Sequence, residues 1–157
     1  MTHPPLPTIA AGALAAIYAH ARRDYPRECC GIVFGPKAEA IADRAQACRN
    51  IQDELHAKDP VTHERDGRTA YNFQTSDLFL LQKSLDEDVP AKIIYHSHCE
   101  VGAYFSATDQ EVALFGDEPA YPVEYLVVDV RQDGPHGAKQ FAWDDERKQY
   151  VEVAAYP

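Results

Sequence analysis

The sequence predicts an α/β fold, a single-domain layered sandwich in which helices flank a central mixed sheet. Segments rich in β-branched residues alternate along the chain with segments whose apolar residues recur at helical spacing. The chain has 157 residues, a length that suits one domain with a proper core. Neither an internal repeat nor a low-complexity tract divides it. We therefore expect residues 1–157 to form one domain.

The first quarter of the chain predicts one helix followed by two strands. Thr8 is a candidate N-cap, and the alanine-rich residues after it carry apolar side chains at helical spacing as far as Ala21. Residues 28–34 are strand-like and are closed by a Gly-Pro turn. A second strand is expected within residues 38–48.

A charged, irregular segment covers residues 51–68 and contains two turn signals. Two interpretations stay open for it, a substrate-binding insertion and a solvated surface excursion, because long connections are often functional or mobile. Residues 69–73 then predict a short strand. Thr75 or Ser76 is expected to cap a helix through Leu85, whose apolar stripe is Leu78, Leu81 and Leu85.

The second half of the chain predicts the centre of the sheet. Residues 91–95 are apolar and β-branched, so they predict a buried strand that runs into the sequence His96-Ser97-His98. A short helix is expected from Ser106 to Phe115, ending at Gly116. Residues 123–130 form the next central strand, and residues 138–143 and 148–153 are expected to form two further strands.

The His-x-His sequence predicts a metal site. Residues two apart on a strand share a face, so His96 and His98 point the same way, and Asp109 lies in the first turn of the helix that follows. Two imidazoles and a carboxylate suit Zn²⁺ and leave one position of its tetrahedron for water. Taken alone, the histidines are equally consistent with satisfied polar residues, and Ser-x-x-Asp with a capping box. Their combination in one strand-loop-helix unit favours the metal site.

Composition excludes several classes of partner. The net charge of -10 and the pI near 5.0 argue against binding of nucleic acid and favour a partner with a basic face. No apolar run approaches the roughly 20 residues of a membrane span, and the N-terminus lacks the features of a secretory signal. We therefore expect a cytoplasmic protein with no membrane association.

The cysteines are expected to be small buried hydrophobes. No pair has the Cys-x-x-Cys spacing of a structural zinc or redox site, and a cytoplasmic protein would keep its thiols reduced. They are Cys29, Cys30, Cys48 and Cys99.

Hydrolysis of an amide also needs a proton carrier beside the zinc ion. No His-Glu-x-x-His helix supplies one. Glu28 is the best candidate by position, because it stands at the start of a strand that should neighbour the histidine strand. The alternative is a solvent-facing glutamate at a strand end. Glu100 is closer to the histidines in sequence, but it lies in the loop with no reason to point back at them.

One pattern in the chain consists of Glu28 and, further on, His96-Ser97-His98, seven residues, Ser106, two residues and Asp109. This pattern resembles the signature of the JAMM (MPN-plus) zinc metallopeptidases. The resemblance extends from about Thr8 to about Val130 and is strongest to small bacterial members that process ubiquitin-like or sulfur-carrier proteins. It implies a fold similar to that of cytidine deaminases. It also implies roles: His96, His98 and Asp109 as zinc ligands, Glu28 as general base and acid, and Ser106 as a group that steadies the attacking water and the oxyanion.

The chain departs from the family pattern in three places. Phe105 stands where the family usually has proline before the serine. The rigidity that proline would give this loop is therefore left open. Cys99 directly follows the second histidine. Residues 52–68 have no assignable counterpart in the family. Their effect on the choice of substrate is therefore left open.

The resemblance implies a peptidase or isopeptidase that cuts after the terminal diglycine of a ubiquitin-like or sulfur-carrier protein. The leaving group, the pathway and the oligomeric state stay open, a homodimer among the alternatives. Three other functions are considered. They are a non-catalytic binding module of the same fold, a zinc hydrolase of another class, and a cysteine peptidase that uses Cys30 or Cys99. A nucleoside deaminase would require His-x-Glu and Pro-Cys-x-x-Cys, which are absent.

Overall fold

The computed structural model describes residues 6–157 and contains a six-stranded mixed sheet. In chain order the strands are β1 (Thr8–Ile9), β2 (Cys30–Phe34), β3 (Ile41–Ala42), β4 (Arg44–Cys48), β5 (Ala91–Cys99), β6 (Leu114–Phe115), β7 (Glu118–Pro119), β8 (Glu124–Arg131), β9 (Gly134–Asp144) and β10 (Gln149–Tyr156). The helices are α1 (Ala11–Asp24), α2 (Gln52–Lys58), α3 (Thr75–Ser84) and α4 (Ala107–Ala113).

Strand β5 occupies the middle of the sheet, whose order is β10-β9-β8-β5-β2-β4. It pairs with β8 in parallel and with β2 in antiparallel orientation, and the remaining neighbours are antiparallel. Because both faces of β5 are covered, its residues Ile93, Ile94 and Tyr95 are all buried. The prediction of an α/β fold with a central mixed sheet is confirmed.

Two apolar clusters cover the two faces of the sheet, which makes the molecule a layered sandwich. On one face, Ile17 of α1 belongs to a cluster that includes Val33 and Leu126. On the other face, Leu81 of α3 packs in a cluster with Ile32 and Val127. The alternation of neighbouring strand residues between the two clusters follows from the two-residue repeat of a β-strand. The predicted leucine stripe of α3 is confirmed, since Leu78 and Leu85 pack against the same cluster as Leu81.

Several predicted boundaries in the first half are wrong. Thr8 is not a helix cap but part of β1, which pairs with β3, so Ala10 is the N-cap and α1 begins at Ala11, two residues later than predicted. The segment expected to be irregular contains α2, whose first turn carries Asp53 and Glu54 near the positive end of the helix dipole. The strand expected at residues 69–73 is reduced to one bridge between Phe73 and Asn50.

The second half differs from prediction mainly in length. Helix α4 ends at Ala113, because the next two residues form β6 and pair with β7 across a turn in which Gly116 has φ of 69°. Strands β9 and β10 are longer than predicted since they pair with each other along most of their length. Among the described residues, none of the helices has both the length and the apolar character needed to cross a membrane.

Gly31 of β2 is required by its neighbour across the strands. Gly31 pairs with Tyr95 of β5 in register, and the Tyr95 ring occupies the space where a Cβ on Gly31 would lie. The ring cannot move away easily, because Tyr95 is buried and its hydroxyl is 2.7 Å from His20 Nδ1. The central pair of strands therefore depends on a residue without a side chain.

We expect Gly31→Ala to lower the free energy of unfolding by about 2 kcal/mol or more, because overpacking in a closed core forces side chains and backbone apart. The measurement is urea-induced unfolding followed by circular dichroism. Gly12→Ala in α1 is the control, since an added Cβ there meets nothing within 4 Å. That change should leave stability equal or raise it by roughly 0.5 kcal/mol. Equal stability of wild type and Gly31→Ala would contradict this account of the strand pair.

Candidate metal centre

The C-terminal half of β5 presents two histidine side chains at one point. The Nε2 atoms of His96 and His98 lie 3.2 Å apart, and both residues are buried. The residue between them, Ser97, points to the other face, where its Oγ accepts a hydrogen bond from Cys29 N–H at 2.8 Å. The alternation expected for a strand therefore holds for the His-x-His sequence.

Asp109 reaches both histidines from the start of α4. Its Oδ1 is 3.2 Å from His96 Nε2, and its Oδ2 is 3.2 Å from His98 Nε2. A capping box sets this position: Ser106 N–H donates to Asp109 Oδ2, and Asp109 N–H donates to Ser106 Oγ, each at 3.0 Å. The two interpretations of Ser-x-x-Asp are thus not exclusive, because the cap is what aims the carboxylate at the histidines.

The tautomer of His98 leaves an electron pair facing this cluster. Its Nδ1 lies 3.1 Å from the carbonyl oxygen of Gly102, which accepts hydrogen bonds and cannot donate them, so Nδ1 carries the proton. In the neutral ring Nε2 then presents a lone pair to Asp109 and to His96 Nε2. Converging lone pairs repel unless a proton or a metal cation lies among them. The donor set of two imidazole nitrogens and one carboxylate fits zinc, and the carbonyl bond is the outer-shell support typical of a metal-bound histidine.

Glu28 lies across from the histidines because of the register between β2 and β5. Cys30 pairs with His96 in that antiparallel register, and continuing it past the end of β2 brings Glu28 opposite His98. One donor atom each of Glu28, His96 and His98 lie within 4.8 Å of one another. Glu28 is 6% exposed, so it is not the solvent-facing glutamate of the alternative interpretation.

Burial controls the proton affinities in the cluster. It raises the pKa of the Glu28 carboxyl to about 8, with the charge of His98 acting in the opposite direction. Burial lowers the pKa of His96 and favours its neutral, ligating form. For Asp109, burial would raise the pKa, but the close contacts with His96 and His98, together with the hydrogen bond from Ser106 N–H, outweigh it and hold the pKa of the carboxyl well below its usual range.

Aromatic side chains that the sequence analysis did not assign to the site surround the two histidines. Tyr71 stacks on the His96 ring, with centroids 4.4 Å apart and planes at 23°, and Tyr104 contacts the His98 ring at 4.9 Å. His96 Nδ1 is buried without a hydrogen-bond partner among the described residues. Stacking therefore orients His96, whereas a hydrogen bond orients His98. Tyr71 lies 25 residues before His96, and no spacing rule connects them.

Phe105 restrains the loop in which the family usually has proline. Its ring packs on the rings of Tyr125, Phe141 and Tyr150, at centroid distances of 5.2, 5.2 and 5.5 Å. These contacts hold the residue directly before Ser106 against the core. Packing thus supplies the restraint that a fixed proline φ angle would otherwise provide.

A cleft of about 890 Å³ opens over the cluster. Its walls come from three segments: residues 62–72, residues 98–104 and the first part of α4. Glu28, His98 and Asp109 line the base of the cleft. The second half of the charged segment is therefore a wall of the cleft, whereas its first half forms α2.

Asn50 fastens this wall to the backbone of Glu28. Its Nδ2 donates to the carbonyl oxygens of Glu28 at 2.9 Å and Ala70 at 3.1 Å. Its Oδ1 accepts from the N–H groups of Gln52 and Asn72, each at 3.0 Å. All four hydrogen-bonding positions of the amide are used, so this side chain links β2, α2 and the cleft wall.

The cysteine prediction is confirmed for three residues and wrong in part for the fourth. Cys29, Cys30 and Cys48 are buried free thiols. Cys99 is partly exposed and lines the cleft, because β5 ends there and the chain turns outward. Burial still raises the pKa of the Cys99 thiol to about 12, which leaves it protonated at neutral pH. Glu100 bonds away from the cluster, to Tyr25 Oη and to Gln132 N–H, as expected.

Comparison of the sequence with known proteins finds a matching family model and similar individual proteins. The family model for prokaryotic homologs of the JAB domain matches residues 10–144. The CysO-cysteine peptidases of Mycobacterium tuberculosis and Mycobacterium bovis are each 30% identical to this chain over 135 residues. The alignment covers 85% of this chain and 80% of each relative.

Solved structures with the same fold include proteins of two other bacteria. Protein DSY2949 of Desulfitobacterium hafniense superposes with a TM-score of 0.63 at 18% identity, covering 94% of this chain and 90% of that protein. A protein from Salinibacter ruber gives a TM-score of 0.60 at 22% identity, covering 94% and 88%. At this level of identity the likeness concerns the fold.

We expect Asn50→Ala to lower the free energy of unfolding by about 2 kcal/mol or more, because it leaves several backbone groups without partners. The measurement is thermal or urea-induced unfolding. Asn72→Ala is the control, since its side-chain amide makes one bond, to Gln52 at 2.8 Å. Equal losses in the two variants would contradict the linking role of Asn50.

Proposed function

Because the chain belongs to the prokaryotic JAB family, which comprises small bacterial members of the JAMM/MPN class, we propose that it is a zinc-dependent peptidase. Its substrate is a ubiquitin-like or sulfur-carrier protein, cut at the bond after the terminal diglycine. The observation that carries the proposal is the convergence of two histidines, two carboxylates and a capping serine, of which all but the fully buried His96 line one cleft. The mycobacterial relatives bear the name CysO-cysteine peptidase, and we extend the peptidase activity to this chain.

His96, His98 and Asp109 are the residues that would hold the ion. Zinc bound there would polarise the scissile carbonyl and lower the pKa of the attacking water. Three observations support this assignment: the 3.2 Å contacts among the donors, their burial, and the Nδ1 proton of His98 that leaves Nε2 free.

Glu28 would move the proton. It accepts a proton from the water as the water oxygen adds to the carbonyl carbon. It then gives that proton to the amide nitrogen as the carbon–nitrogen bond breaks. The second proton of the water also passes to the amine, so the products are the diglycine carboxylate and an ammonium group, and atoms and charge balance. The position of Glu28 beside His98 at the base of the cleft supports the assignment.

Ser106 would serve the site in two ways. Its Oγ accepts the Asp109 N–H, which positions the carboxylate. The hydroxyl proton remains to be donated, and Ser106 lines the cleft, so it can stabilise negative charge on the carbonyl oxygen. The diglycine tail would lie extended in the cleft, where residues without side chains leave room for backbone hydrogen bonds.

The competing functions receive less support. A cysteine peptidase needs an accessible thiolate, but Cys30 is fully buried and burial raises the pKa of Cys99 to about 12. A non-catalytic module would have no use for a buried carboxylate aimed at two histidines, since burying unpaired charge is costly.

We expect the wild type to bind zinc at about one ion per chain, and Glu28→Gln to keep that zinc while losing about 100-fold or more in cleavage rate. The substrate is a sulfur-carrier protein with one residue added after its diglycine. Metal content is measured by elemental analysis and cleavage by mass spectrometry. Glu100→Gln is the control, since this nearby carboxylate bonds to Tyr25 and Gln132. A Glu28→Gln variant with full activity would disprove the role of Glu28, and a zinc-free wild type would disprove the metal site.

Inhibitors separate the metal mechanism from the thiol mechanism. We expect a zinc chelator to abolish cleavage and added zinc to restore it. Iodoacetamide should leave cleavage largely intact, because three thiols are buried and the Cys99 thiol stays protonated. The measurement is the initial rate on the substrate above. Inactivation by iodoacetamide with zinc still bound would instead favour the cysteine peptidase.

A further inference from the structure

The cleft wall that carries Arg65 is rigidly attached to the rest of the site. The carbonyl oxygen of Arg65 accepts a hydrogen bond at 2.7 Å from Nε2 of Gln52, whose side chain is buried. Two residues further on, Gly67 donates its N–H to Asp53 Oδ1, and its carbonyl oxygen accepts from Glu28 N–H, each at 2.7 Å. The backbone around Arg65 is therefore held by α2 on one side and by Glu28 on the other.

The charges that line the cleft are mostly acidic. The acidic residues are Glu28, Glu64, Asp109 and Glu111. Two arginines, Arg65 and Arg68, oppose them. Arg68 is paired with Asp66 at 2.8 Å, which occupies its guanidinium. Within residues 6–157, the Arg65 side chain has no ion pair and no hydrogen bond, and it is exposed to the cleft.

The position of Arg65 puts its charge within reach of the reacting groups. Arg65 and Glu28 line the same cleft, and Gly67, two residues after Arg65, accepts the Glu28 N–H through its carbonyl oxygen at 2.7 Å. A guanidinium is suited to a carboxylate, because its parallel N–H groups match the two oxygens. An anionic ligand entering a cleft lined by Glu64, Asp109 and Glu111 needs such a partner, since like charges would otherwise repel it.

We propose that Arg65 is the specificity residue for the leaving group: it binds the α-carboxylate of a single amino acid that follows the diglycine. This inference rests on the proposed function and narrows its substrate. When one residue follows the diglycine, its carboxylate lies one residue beyond the scissile bond. An isopeptide-linked lysine within a chain has no such carboxylate nearby, and a longer tail carries it away from the cleft. Arg65 is therefore the residue that distinguishes these three leaving groups.

The test uses three substrates built on one sulfur-carrier protein that ends in diglycine. The first carries one cysteine with a free carboxylate, the second the same cysteine as its C-terminal amide, and the third a ten-residue extension. We expect wild type to cleave the first with the lowest KM. Arg65→Gln should raise the KM for that substrate by about tenfold and change kcat little, as expected for loss of a charge-assisted hydrogen-bonded pair. The KM for the amide should not change.

Two further variants complete the design. Arg65→Lys keeps the charge but not the paired N–H groups, so its KM should fall between those of wild type and Arg65→Gln. Arg147→Gln removes another exposed positive charge, in the turn between β9 and β10, and should not change the preference.

Failure of this inference differs from failure of the proposed function. If wild type cleaves all three substrates with equal KM, or if Arg65→Gln weakens acid and amide alike, Arg65 does not bind the leaving carboxylate. If zinc-loaded wild type cleaves none of them, the proposed function itself fails and the inference falls with it.

Discussion

The contacts of the Asp109 carboxylate with His96 and His98 are the interaction on which the rest of the structure depends. They join the start of α4 to the end of β5, so the loop between these elements must return to the strand it has just left. Packing of Phe105 on three aromatic rings and the capping box at Ser106 make that return possible. The two histidines and Asp109 thus come from one short stretch of chain, and the core beneath it holds that stretch in place.

Burial gives the site its chemical character and also its cost. Glu28, His96, His98 and Asp109 are buried polar groups, which a protein tolerates when they compensate one another. The free-energy cost of burying these groups is offset by the apolar layers on both faces of the sheet, with α1 on one side and α3 on the other. Tyr95 and Gly31 fix the spacing of β5 and β2, and the same register brings Glu28 opposite His98. One strand pair therefore sets both the centre of the sheet and the position of Glu28.

The sequence predicted those elements whose pattern repeats locally. It failed where pairing with a distant strand decides which secondary structure a segment adopts. The buried runs at β5 and β8 and the leucine stripe of α3 follow from alternation and helical spacing, and the structure contains all three. Thr8 was expected to cap α1, but β3 draws it into a strand. The apolar residues after Ala113 were expected to continue the helix, but β7 pairs with them instead. In both cases a distant segment competes with a local preference, and a single sequence does not reveal that partner.

By itself, the sequence determined the layered α/β architecture and the shared face of His96 and His98, because both depend on the two-residue repeat of a strand. It also determined that Asp109 begins a helix close to them, since capping is a local interaction. Only the tertiary structure decided that Tyr71 stacks on His96, that residues 62–72 form a wall of the cleft, and that Arg65 faces it without an acidic partner among the described residues. These contacts join segments distant in sequence, and their geometry follows from how the whole chain packs.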